Sequence, residues 1–301
     1  MGYIGAQGFS DRRAKLSALT TYATGAAAAC LLLAGCGSSS DNGTGSAADD
    51  SPISEDLVES GTLKVCTDPT YPPLEYYKTG QELAGYDIAA ARAVGKELGL
   101  EVEFIPTAFD GILPAVDAGR CDLAWAGFFV DEERTANFIA VPIQETTSVM
   151  MVEAGNPAGI STPEDLADKT VTTQSGSNLL KQAEEIAAQL EEDGKDPVTV
   201  QGYVKFDEAI QQLAVGRSDV VFTQDTDAAF RDLNQPGQFE VAYRFPDPET
   251  FGVYMSRDAD ALAEELYQAL SSLEESGELA RIAEEEGMPT EGIKIEEPVG
   301  G

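Results

Sequence analysis

The sequence predicts an α/β fold built as two similar lobes, and three observations carry that prediction. Strand-like and amphipathic helical segments alternate along the body of the chain, the order that calls for sheets covered by helices. A phrase recurs: FDGILPAVDAGRCD (Phe109–Asp122) returns 97 residues later as FDEAIQQLAVGRSD (Phe206–Asp219), with Phe-Asp opening, Gly-Arg at the same spacing and Asp closing both copies. The alternation also restarts near residue 150, so that each half ends on the same helix–Gly–strand unit, which fits two lobes better than one continuous sheet.

Composition narrows what the fold can do. The 301 residues suffice for one or two domains. With 53 acidic against 19 basic residues the formal charge is −34, which repels nucleic acid and anionic membrane surfaces. There is no histidine, which removes the Ser-His-Asp triad and the commonest metal ligand. No cofactor and no metal are expected.

The elements follow in order. Arg12, Arg13 and Lys15 precede an uncharged run from Leu16 to Gly35, the layout of a secretory signal. Its end, Leu33-Ala34-Gly35-Cys36, resembles the bacterial lipoprotein signal, which implies cleavage after residue 35 and a lipid (a palmitate-type anchor) on Cys36; a plain membrane-spanning anchor is the alternative. Residues 36–52 are rich in Gly, Ser and Asp and read as a flexible tether. Thr62–Asp68 reads as a strand, and Asp87 can cap a helix with Ile88, Ala91, Val94 and Leu98 on its apolar face and Gly99 at its end. Glu101–Ile105 alternates as a strand, the first copy of the phrase supplies a helix stopped by Gly119, and Cys121–Gly127 is a buried strand. After residue 150 a new strand, a helix start at Ser161 or Thr162 with Pro163 in its first turn, and a strand at Lys169–Ser177 precede the helix from Asn178. A further strand then leads to the second copy and Asp219–Asp225. Two charged amphipathic helices end the chain and are expected to pack on the first lobe. Cys66 and Cys121 are the cysteines of the body; both fall in strands, and two buried free thiols are expected, although an exported chain permits a disulfide.

Thr67–Tyr77, Gly85–Gly99, Phe109–Gly127 with Arg134 downstream, Glu164–Ser177 and Gly216–Thr226 occur in an order that resembles the amino-acid-binding family 3 extracellular solute-binding proteins of ABC importers. The resemblance implies a type II flytrap fold, each lobe a mostly parallel sheet flanked by helices, joined by a two-strand hinge. Lobe one would then be 53–146 plus 247–301 and lobe two 147–246. It implies an extracytoplasmic, lipid-anchored monomer that takes a free amino acid or close analogue and hands it to ABC permease subunits. The membrane would be touched only through the anchor.

The same resemblance assigns the site. Arg134 would clamp the ligand carboxylate with its planar fork, aided by backbone groups of Gly127 and Phe129 and by Ser177 and Asn178 at a helix N-terminus. Phe129 stands where the family carries Ser or Thr, so a hydroxyl contact is lost and the ring would narrow the pocket. Tyr71 and Phe109 would sandwich the ligand side chain and Asp68 would meet a polar or cationic head. For the ammonium, Asp225 is preferred over its neighbour Gln224. No spare cation stands ready to neutralise an acidic side chain, so polar or basic amino acids are favoured. The alternatives are a cyclohexadienyl-dehydratase-like enzyme on the same fold and a sensor domain acting through a membrane partner.

Overall fold

The computed structural model describes residues 52–301. The expected signal, the expected lipidation site Cys36 and the expected tether, except for its last residue, lie outside the described residues. The chain runs β1 (Thr62–Thr67), β2 (Thr70–Tyr71), β3 (Glu75–Lys78), β4 (Glu82–Ala84), α1 (Tyr86–Leu98), β5 (Glu101–Pro106), α2 (Phe109–Asp117), β6 (Leu123–Phe129), α3 (Glu132–Thr135) and β7 (Phe138–Thr146). It continues through β8 (Ser148–Glu153), β9 (Thr170–Gln174), α4 (Asn178–Glu192), β10 (Thr199–Tyr203), α5 (Phe206–Ala214), β11 (Val220–Gln224), α6 (Asp225–Asn234) and β12 (Phe239–Arg244). Strand β13 (Glu249–Ser256), helices α7 (Asp260–Glu275) and α8 (Glu278–Glu285) and β14 (Val299–Gly300) complete it. Among the described residues no helix is long and apolar enough to cross a membrane.

One sheet has the order β14-β7-β13-β6-β1-β5, a second β10-β9-β11-β8-β12, and β2-β3-β4 form a small sheet of their own. The two large sheets are mixed rather than mostly parallel. Strands β5-β1-β6 and β10-β9-β11 are parallel, whereas β13, β7, β8 and β12 pair antiparallel. The reason is connectivity. Only Thr147 separates β7 of the first sheet from β8 of the second, and β12 of the second leads back to β13 of the first, so the strands that cross between lobes enter each sheet from the opposite end. Helix α1 begins at Tyr86 after Gly85, with Asp87 buried in the first turn rather than capping it, while Gly99 ends the helix in the left-handed conformation the sequence anticipates. Helices α7 and α8 pack against α1.

The repeated phrase is a repeated construction. Gly119 and Gly216 both sit at positive φ, 64° and 68°, where a side chain would be strained. The closing acids then do the same work: Asp122 Oδ2 accepts from the Lys64 backbone N–H at 2.6 Å, and Asp219 Oδ2 accepts from that of Thr170 at 2.8 Å. Each fixes the start of the neighbouring parallel strand. Strand register extends the equivalence, because Val65 lies opposite Leu123 as Val171 lies opposite Val220. Cys66 therefore corresponds to Thr172, Asp68 to Gln174, and Cys121 to Ser218.

That correspondence explains the cysteines. Cys66 and Cys121 form a disulfide, with Cα atoms 5.7 Å apart, in place of the two free thiols expected. Adjacent parallel strands bring the two side chains together on the face covered by α2, within the distance a disulfide spans. In the second lobe the equivalent pair, Thr172 and Ser218, is joined by a hydrogen bond of 3.0 Å between buried hydroxyls. The double substitution Thr172→Cys/Ser218→Cys is expected to oxidise spontaneously to a second disulfide and to raise Tm, read by the loss of titratable thiols in denaturant and by thermal unfolding.

Candidate functional site

The site forms where the strand ends of both lobes face one another. A small inner cavity of about 20 Å³ is lined by Tyr71, Phe109, Ala126, Gly127, Gln174, Ser177, Leu179, Phe206 and Gln224. It adjoins an open cleft of about 1110 Å³ whose walls include Phe128, Asp131, Arg134, Asn178 and Lys181; Phe109 and Ser177 belong to both. Phe109 lies stacked on Phe128, centroids 4.2 Å apart, and Tyr71 meets Phe206 edge to face at 4.6 Å.

Asp68 stands just beyond β1 and is 5% exposed. Gln174 Nε2 donates to its Oδ2 at 2.7 Å, across the cleft from the equivalent position of the other lobe, and the Phe109 N–H donates to the same oxygen at 3.2 Å. Burial pushes the Asp68 carboxyl up to about 6, opposed by these hydrogen bonds. Behind the cavity wall, Glu75 and Asp87 are buried together; desolvation and their mutual repulsion hold Glu75 well above the usual carboxylate range, and desolvation takes Asp87 to about 7 against a hydrogen bond from the Gly127 backbone.

Arg134 is held in the outer cleft. Its Nη1 donates to the Phe129 carbonyl at 2.9 Å, lies 3.2 Å from Asp131 Oδ2, and its guanidinium covers the Phe128 ring at 5.0 Å. Asp131 also caps α3 through the Arg134 backbone N–H and accepts from Asn178 Nδ2 of the other lobe at 2.9 Å. Ser177 caps α4, its hydroxyl accepting from the Leu180 N–H at 3.2 Å, which leaves the first turn of α4 facing the cleft.

Two of the expected residues lie elsewhere. The Phe129 ring does not narrow the cavity; it stacks on Phe251 at 5.3 Å in the core, and only its carbonyl reaches the Arg134 side chain. Asp225 turns away from the cavity to accept from Thr146 Oγ1 and the Thr147 N–H, where the chain crosses between lobes. The side chain that lines the cavity at the end of β11 is that of Gln224, whose Oε1 is buried without a protein partner. The physical cause is the strand end itself: Gln224 is the last extended residue, and Asp225 begins α6 and points back toward the crossing strands.

A model of the bacterial extracellular solute-binding proteins, family 3, matches residues 63–286. The chain belongs to this family. Within it, the arginine-binding protein ArgT of Corynebacterium glutamicum is 27% identical over 254 residues, 82% of each chain. The L-cystine-binding protein TcyA of Bacillus subtilis is 26% identical over 254 residues, 83% of this chain and 90% of its own. Among solved structures, an ancestral arginine-binding protein bound to arginine has a TM-score of 0.69 and 32% identity over 75% of this chain and 97% of that one. The ancestral amino acid-binding protein described as a precursor of cyclohexadienyl dehydratase has a TM-score of 0.68 and 26% identity, covering 75% and 96%.

The sequence reading does not include Phe206 and Gln174 as cavity residues, and it ranks Gln224 behind Asp225. A signal is present for the first, since Phe206 opens the second copy of the phrase as Phe109 opens the first; the equivalence of Gln174 and Asp68 emerges only from strand register.

Proposed function

We propose that this solute-binding protein captures a free amino acid with a cationic side chain, L-arginine foremost, and delivers it to ABC permease subunits without chemical change. One arrangement carries the reading: the buried Asp68 carboxyl accepts from Phe109 and Gln174 of the inner cavity, the Arg134 guanidinium lines the adjoining outer cleft, and Phe109 and Ser177 belong to both. Arg134 with the Ser177–Asn178 helix start takes the ligand carboxylate. Gly127 and Gln224 take the ammonium, the latter through its unpartnered Oε1. Tyr71, Phe109 and Phe206 enclose the aliphatic stem, and Asp68 with Gln174 meets the cationic head. The names of the relatives support a basic or polar ligand. Lobe one comprises 53–146 plus 247–301 and lobe two 147–246, a division supported by the membership of the two sheets. The protein works as a monomer outside the cytoplasmic membrane, tethered by lipid on Cys36.

Calorimetric titration of residues 53–301 with L-arginine, L-lysine, L-glutamine, L-cystine and L-glutamate tests this. L-Arginine is expected to bind with Kd near micromolar, about −8 kcal/mol, and L-glutamate not to bind. The pH dependence has a definite sign. A cationic head binds the Asp68 carboxylate, and a carboxyl whose pKa is raised to about 6 must first lose its proton. Affinity for L-arginine should therefore fall about tenfold per unit as pH drops below about 6 and level off above it. Tight binding of L-glutamate, or no dependence on pH, would sink the cationic reading.

A further inference from the structure

The second lobe buries an ion pair that touches neither cavity. Asp227, fully buried, receives Arg231 Nε on both oxygens, at 2.9 and 3.1 Å. Arg231 is 4% exposed, and Asp207 lies 3.6 Å from its Nη2. Asp227 and Arg231 belong to α6, one turn apart, and Asp207 to α5. A buried pair of this kind is weak evidence for stability, because desolvation offsets the Coulombic gain. What the pair holds is more informative.

Asp227 Oδ2 accepts from the Thr223 hydroxyl at 2.9 Å, and the Arg231 guanidinium lies over the Phe206 ring at 5.8 Å. Thr223 and Phe206 are the two groups of the second lobe that receive Tyr71 from the β2 strand of the first. The Tyr71 hydroxyl is 3.3 Å from Thr223 Oγ1, and its ring meets Phe206 edge to face. The next residue along, Thr70, accepts the Phe206 N–H at 3.2 Å. An ionised carboxylate can only accept, so Asp227 obliges Thr223 to donate to it, and Thr223 is left with lone pairs for the Tyr71 proton. The charge thus orders the chain Tyr71→Thr223→Asp227←Arg231. Reversing any link would leave two donors or two acceptors facing each other in a buried site.

We propose that the Asp227–Arg231 pair is a positioning device for lobe closure: it presets Thr223 and Phe206 to receive Tyr71, and so raises ligand affinity without touching the ligand. The contacts it supports join the lobes, so they exist only when the lobes are together, and anything that stabilises the closed form raises apparent affinity in proportion. The proposal rests on the binding reading above only for its choice of probe.

The test reads closure directly. One spin label is placed on each lobe, and the inter-lobe distance distribution is measured in the ligand-free protein and with L-arginine, for wild type, Tyr71→Phe, Thr223→Val, Asp227→Asn and the double variant Asp227→Asn/Tyr71→Phe. The expected result is a shift toward longer distances in every single variant, a five- to twentyfold weaker Kd for L-arginine expressed mainly as faster release, and less than a twofold further change on adding Asp227→Asn to Tyr71→Phe. That last non-additivity is what a merely structural role would not produce. Should Asp227→Asn fail to fold, Thr223→Val, whose hydroxyl is the link, is combined with Tyr71→Phe and read the same way. Should L-arginine fail to bind wild type, the binding reading falls while the ligand-free distances still decide this one. A wild-type distance distribution in folded Asp227→Asn and Thr223→Val, or effects that add fully to that of Tyr71→Phe, would overturn it.

Discussion

Arg134→Ala should weaken L-arginine binding by at least about 100-fold while leaving Tm within a few degrees of wild type. A charge-assisted, two-pronged contact to a carboxylate contributes about 3 kcal/mol when both partners leave water, and about 1.4 kcal/mol corresponds to a factor of ten. The site is prepared for that role. The guanidinium already rests on the Phe128 ring and donates one N–H to the Phe129 carbonyl, so its fork is oriented before any ligand arrives. The fold depends on it less, since Asp131 keeps its bond from Asn178. Arg134→Lys keeps the charge and loses the fork, and should recover about a tenth of the wild-type affinity. Titration calorimetry on the three proteins reads both effects. A loss of less than threefold in Arg134→Ala would move the ligand carboxylate to another cleft group, of which Lys181 is the exposed cation on the facing lobe.

Removing the Cys66–Cys121 disulfide should cost about 4 kcal/mol, from the loop entropy of closing a 55-residue separation in the unfolded chain. For a domain of this size that corresponds to a fall in Tm of about 10 °C. The double substitution Cys66→Ala/Cys121→Ala is the appropriate variant, because both positions are buried and hydroxyls would add a desolvation cost of their own. Urea and thermal unfolding of the two proteins give the difference. The second lobe supplies the control: it holds the same position with Thr172 and Ser218 bonded through hydroxyls that also reach the Ala209, Thr170 and Val220 carbonyls, so Thr172→Ala/Ser218→Ala should cost about 2 kcal/mol, the scale of losing two buried hydroxyl donors. If the cysteine variant loses no more than the Thr/Ser variant, the unfolded chain already keeps these strands close and the entropic account fails.

The family resemblance, rather than local pattern, points to Tyr71, Phe109, Arg134, Ser177 and Asn178, and each of them lines the inner cavity or the outer cleft, at the strand ends where open α/β sheets present their clefts. Asp225 was misplaced because a pattern of identities cannot say on which residue a strand stops, and a shift of one residue there reverses which side chain faces the cleft. The family resemblance turns the Phe129 ring toward the ligand, but the ring packs on Phe251, two residues after Gly127 at positive φ, where β6 departs from regular register. Glu75 and Asp87 carry no pairing signal in the sequence, being 12 positions apart on a strand and a helix.

By itself the sequence determined the alternation of strands and helices, the duplication that makes two lobes, and the residue types available to hold a charged ligand, because periodicity, capping and composition are local properties of the chain. Only the tertiary structure decided the pairings across the duplication: that Cys66 meets Cys121 where Thr172 meets Ser218, that Gln174 faces Asp68, and that Tyr71 of one lobe ends on the Thr223–Asp227–Arg231 chain of the other. Those contacts join residues 46 to 152 positions apart. They depend on strand register and on the way two chain crossings set one lobe against the other, and neither is encoded by any single stretch of residues.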